Sequence, residues 1–171
     1  MTVVLLTMRV LHVAAGVFWA GSVFFLNGLL GPSIAAAGPE GLKVMGELRK
    51  RRYFEEMIGA AFTTVISGLV LVWIDSAGFE AAWFRTKFGM GISTGMLAAI
   101  LALSFGILVS KPAMEELSAL GPQMAQASTD EARAAIGARM AAARGRLIRF
   151  GGLSAGLLLI AVLAMAVARY L

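Results

Sequence analysis

The sequence predicts an all-α fold, an integral membrane bundle of four transmembrane helices with amphipathic cytoplasmic connections, in a single domain spanning residues 1–171. Three observations carry that expectation. Of the 171 residues, 59% are hydrophobic and 15% charged, against about 45–50% and about 25% in a soluble domain. The chain therefore holds too few charges to cover a water-facing surface, and with a mean hydropathy of +0.83 it is equally unlike a disordered one. Four uncharged stretches have the roughly 20 residues a helix needs to cross about 30 Å of hydrocarbon. None shows the alternation of a barrel strand, and backbone in lipid must satisfy its own hydrogen bonds, so each is a helix. Cysteine is absent, which removes disulfides, thiolate catalysis and thiolate metal sites.

The first span covers residues 10–32, whose only ionisable group is His12. Its length and the lack of a basic segment before it distinguish it from a cleaved signal peptide. A short helix then starts at Gly38-Pro39-Glu40 and ends in Arg49-Lys50-Arg51-Arg52, with Leu42, Met45 and Leu48 giving it one apolar face. Glu55 and Glu56 open the second span, residues 57–74, where acids complement the positive helix end. The third span is residues 88–110. In the long connection that follows, Gly121-Pro122 resets the chain, and Ser128 with Glu131 has capping-box spacing. Ile136, Met140, Ala143 and Leu147 then form a helical stripe leading to the fourth span, residues 150–168, with Gly145, Gly151 and Gly152 as candidate breaks.

Eleven of the fifteen basic residues fall in the connections 33–56 and 111–149. The excess of basic residues on cytoplasmic loops places both connections in the cytoplasm and both termini outside. For an α-helical bundle this means a bacterial inner (plasma) membrane, since outer-membrane proteins are barrels. The same basic residues face anionic lipid, and no nucleic-acid motif accompanies them. Gly91 with Gly95, Gly152 with Gly156, and the strip Gly16, Ala20, Gly21 supply small residues for close helix approach. Thr63, Thr64, Ser67, Ser93 and Thr94 are hydroxyls for bonds between helices or back to their own carbonyls. The two halves show no self-similarity.

His12 is the one clearly intramembrane ionisable residue, a functional candidate because such groups are costly in lipid. Met8, Ala15, Gly16 and Trp19 share its face by helical spacing. The predicted topology puts Lys87, Met90, Ser93 and Thr94 on the same side of the membrane. A haem b with His12 as axial ligand, alone or with methionine, suits these residues; so does copper(I) on His12, Met8 and Met90. The plain alternative is a histidine that hydrogen-bonds a neighbouring helix, and a third is a proton relay. Trp73 and Trp83 read as an aromatic belt, Trp19 as packing. No nucleophile–base set, carboxylate pair or phosphate loop is present, so the reading leans away from an enzyme.

Leu11-His12 followed by Phe18-Trp19-Ala20-Gly21 resembles the first helix of bacterial proteins related to the membrane domain of copper resistance protein D. The stretch from Gly38-Pro39-Glu40-Gly41 to Arg51-Arg52 and the later Ser67-Gly68-Leu69 are similar to four-helix members of that group. More distantly, His12 and Lys87 fall where HemJ-type protoporphyrinogen oxidases carry a haem-associated histidine and a lysine. Those enzymes have a Pro-Arg-Leu element after the first helix, where this chain reads Leu30-Gly31-Pro32-Ser33. The resemblance thus implies a fold and a cofactor site at His12 and Lys87 rather than that activity. The leading expectation is a non-enzymatic accessory or copper-handling membrane protein, acting as a homo-oligomer or within a larger membrane complex. The alternative is a haem-binding redox protein.

Overall fold

The computed structural model describes residues 2–171, with all side chains in that range except those of Pro39 and Leu42. Leu42, the first member of the expected apolar stripe, therefore lies outside the described side chains. Among the described residues the secondary structure is helical throughout, and four helices are long and apolar enough to cross a membrane: Thr2–Ala37, Tyr53–Asp75, Lys87–Gln126 and Asp130–Tyr170. They outrun the uncharged stretches of the sequence because the helices run on through flanking residues, charged ones included, as at Arg9, Lys111 and Arg133.

Helix α1 (Thr2–Phe25) passes through a π turn (Leu26–Leu30) into α2 (Gly31–Ala37). Gly38 takes φ 58°, ψ −128°, a region open to glycine, and turns the chain into α3 (Pro39–Lys50). Arg52, left-handed at φ 56°, precedes α4 (Tyr53–Asp75). Ser76 Oγ accepts from Phe79 N–H at 2.8 Å in a tight turn, followed by the short α5 (Ala81–Phe84). Thr86 caps α6 (Lys87–Phe105) by accepting from Gly89 N–H at 2.9 Å. A second π turn (Gly106–Ser110) joins α6 to α7 (Lys111–Gln126), and α8 (Asp130–Val167) ends in a 3₁₀ turn (Ala168–Tyr170).

The two π turns share a cause. Gly31 N–H bonds to Leu26 O, and Lys111 N–H to Gly106 O, each five residues back. Each is followed at once by proline, Pro32 or Pro112. Proline lacks an N–H and its ring crowds the carbonyl four residues earlier, and the wider π register relieves that crowding. The two halves thus repeat one backbone device that side-chain comparison does not reveal.

Three local expectations change. Gly121-Pro122 does not reset the chain, because α7 runs on to Gln126 with Pro122 inside it. Thr129, rather than Ser128, caps α8, accepting from Ala132 N–H at 3.2 Å. The glycines at 145, 151 and 152 do not break α8, an unbroken helix of 38 residues, or about 57 Å. Its first half packs on α7, burying Leu120 and Ala143 completely, and Glu116 of α7 accepts from Arg139 (3.3 Å) and from Arg146 of α8.

In the apolar part, α1 packs on α4, α4 on α6, α6 on α8 and α8 on α1. The core is Trp19, Ala20, Val23, Ala61, Ala98, Ala99, Ala102, Leu158 and Ala161; its many alanines let the backbones come close. Gly91 and Gly95 sit at the α6–α8 contact, where an added Cβ would lie 2.9 Å from Ala168 Cβ and 2.7 Å from Met165 Cγ, respectively. Gly152 and Gly156 have nothing within 4 Å of such a Cβ, so that pair serves no contact within this chain. Thr63, Thr64, Ser67, Ser93 and Thr94 all bond back to carbonyls of their own helices. Trp19 is buried and Trp73 exposed, while Trp83 packs edge-on against Phe84 and Phe88.

Candidate functional site

α1 and α4 run antiparallel and bring His12 beside the α4 backbone. His12 Nδ1 lies 2.8 Å from Thr64 O. A helical carbonyl keeps a second lone pair after its intrahelical bond and can only accept, so Nδ1 carries the proton and donates. The ring reaches the backbone because Gly68, one turn further along α4, has no side chain. A Cβ there would stand 2.8 Å from His12 Cε1 and 3.0 Å from Nδ1. Gly16, one turn along α1, leaves room for Thr64, whose Cγ2 would be 3.4 Å from an added Cβ.

With Nδ1 committed, Nε2 of the neutral ring is the acceptor. No described residue bonds it, and no buried side-chain nitrogen or oxygen among the described residues lacks a partner, so Nε2 is not sealed in the packing. His12 borders a cavity of about 290 Å³ between the α1–α4 and α6–α8 pairs. Arg9, His12, Thr64 and Asp75 are its charged and polar side chains. The rest of the wall is apolar, with Trp19, Leu71, Phe88, Ile92, Leu158 and Val162 among its residues. Two thioethers, Met96 and Met165, belong to the same wall.

The four sequence candidates divide. His12 is at the cavity. Met8 is half-buried on α1 but not among the cavity residues, because the cavity face of α1 is Arg9, His12, Gly16, Trp19 and Ala20. Lys87 and Met90 line a different, more open depression of about 420 Å³ with Gly91, Thr94, Ala164, Val167 and Leu171. Seating Gly91 and Gly95 against α8 fixes the rotation of α6, so Ile92, Met96 and Ala99 face the cavity while Met90 is half exposed. The structure therefore does not gather His12, Met8 and Met90, nor His12 and Lys87, around one cavity.

No protein-family model, curated protein or solved structure matches the chain.

Sequence reading missed Arg9, Asp75, Met96 and Met165. Arg9 had a signal, its position three residues before His12 on the same helical face. The methionines had none, since their relation to His12 is set by helix rotation. Asn27, in the π turn after α1, lies against Gly151 on α8. At 1.5 Å per residue, His12 is about 22 Å back along α1 and Met165 about 21 Å on along α8, so the two stand at nearly one depth. Among the described residues no group of three His, Cys, Asp or Glu could hold a metal; any site at His12 depends on thioether or exogenous ligands.

Proposed function

We propose that this chain is a multi-pass protein of a bacterial inner membrane that holds a haem-type group in the cavity beside His12. The His12–Thr64 hydrogen bond at 2.8 Å is the bond to a neighbouring helix that the plain alternative expects. The observation that carries the reading is that Nε2 keeps no partner among the described residues and His12 borders the cavity. Donation from Nδ1 to a backbone carbonyl fixes the tautomer and orientation of an imidazole whose Nε2 is to ligate a metal, and raises its basicity. The wall is mostly apolar, and the cavity volume of about 290 Å³ falls just below the range of ligand pockets, which begins near 300 Å³. A larger body fits only with one edge at the rim formed by the exposed residues Arg9, Asp75 and Phe88. Met96 and Met165 both line the cavity, and either thioether would be a candidate second ligand to a bound haem. When bound, the group supplies one-electron transfer, while the chain holds it, excludes water and tunes it.

One observation favours a second reading, a copper(I) site. Met96 and Met165 both line the His12 cavity, and thioethers with imidazole suit that soft ion. Under either reading, both termini lie outside, and the basic connections meet anionic lipid on the cytoplasmic face.

The test is the visible spectrum and metal content of protein purified in detergent. The haem reading expects a Soret band that is absent in His12→Ala and altered in Met96→Leu or in Met165→Leu. Copper without a Soret band, lost in the same variants, supports the second reading. A colourless, copper-free protein that also takes up neither on addition overturns both and leaves an accessory subunit, which should co-purify with a membrane complex.

A further inference from the structure

We infer that the ligand of the His12 cavity is an anionic amphiphile whose acidic group is held by Arg9 at the rim. The inference rests on the cavity reading above and adds the chemical class of what enters it. Arg9 is the only Lys, Arg, Asp or Glu in Thr2–Ala37, exposed and placed just before the uncharged stretch 10–32, toward the outer end of the helix. It lies one turn from His12 toward the end of the bundle that carries the chain termini, about 4.5 Å along the axis. It lines the same cavity.

Among the described residues Arg9 makes no ion pair or side-chain hydrogen bond; eight other Lys and Arg residues also lack an acidic partner, but Arg9 is the one of them that lines the His12 cavity. Asp75, the acid nearest along the rim, is beyond the 4.0 Å of an ion pair although it borders the same cavity. Its place in the last turn of α4 puts it at the negative end of that helix. The guanidinium keeps its charge at any working pH and presents a fork matched to carboxylate or phosphate. Past this rim the wall becomes apolar through Ile92, Val162 and Met165. A ligand satisfying both ends has an acidic edge and an apolar body. The carboxylates of a porphyrin meet that description, and so does the head of a membrane-derived fatty acid.

The experiment titrates the full chain in neutral maltoside detergent with hemin and with hemin dimethyl ester, which lacks the acids, reading the Soret shift. Wild type should bind hemin about 10-fold or more tightly than the ester, the effect of a hydrogen bond to a charged group. Arg9→Gln should lose that preference and leave the ester unaffected, and Arg9→Lys should keep part of it. Asp75→Asn should tighten hemin binding by removing the repelling charge, and Lys87→Gln should match wild type. Circular dichroism of each variant reads folding separately. Equal affinity of Arg9→Gln and wild type for hemin, or weakening of acid and ester alike, overturns the inference while the haem site stands. If wild type binds neither porphyrin, the haem reading falls and a fluorescent polyene fatty acid is compared with its methyl ester. A preference for the free acid that Arg9→Gln abolishes then sustains Arg9 as the anion site, and no preference overturns it.

Discussion

Gly68 decides whether His12 can do anything beyond packing. Because its missing Cβ would stand 2.8 Å from the imidazole, Gly68→Ala must push the ring off Thr64 or part α1 from α4. Overpacking of this kind costs about 1–3 kcal/mol. The expected result is a lower thermal midpoint in detergent together with loss of any His12-dependent ligand. Gly59→Ala on the same helix is the comparison, since a Cβ there meets nothing within 4 Å, and it should leave both properties near wild type. The importance of His12 is legible in the sequence, because a lone imidazole in an uncharged stretch stands out. The importance of Gly68 is not. Gly59 and Gly68 look alike as letters, and only the approach of α1 distinguishes them.

Among the elements, α7 and α8 depart most from an arrangement of separate surface helices. They form one antiparallel pair around Leu120, which is fully buried. Leu120→Ala should destabilise that pair by about 2–5 kcal/mol. Limited trypsin digestion should then cut at Arg133 and Arg139 faster than in wild type, while the apolar helices stay intact; unchanged digestion would show that the pair does not depend on this contact. By contrast α3 carries only exposed ion pairs along its own surface. Lys50 Nζ donates to Glu47 at 2.7 Å, and this bond followed by the charge of Lys50 lowers the Glu47 carboxyl below its ordinary value. The stabilisation is present at neutral pH and fades as pH falls through the lowered value, but both groups are solvent-exposed and the effect is small. The Ser128–Glu131 signature pointed one residue early because Thr129 is an equally good cap, and sequence spacing alone does not choose between adjacent hydroxyls.

For the molecule as a whole, the absence of cysteine makes the proposed orientation directly testable. A single cysteine placed at Ser128 should react with a membrane-impermeant maleimide only after spheroplasts are lysed, whereas one placed at Ala77 should react in intact spheroplasts. The reverse pattern would invert the topology drawn from the basic connections. The same experiment reads whether the four long helices cross a bilayer at all, since a protein outside the membrane would label at both positions alike.

The amino-acid order by itself determined that this chain forms long apolar helices, roughly where they begin and end, and that His12 is the group to watch. Those properties are local, set by composition over about 20 residues and by the hydrogen-bonding demand of the backbone. Tertiary structure alone decided what His12 meets. Met96 and Met165 line its cavity while Met8 and Met90 do not, because the rotation of each helix is fixed by where its glycines and alanines let another helix approach. A preference of that kind belongs to pairs of helices distant in sequence, and no window along one of them contains it.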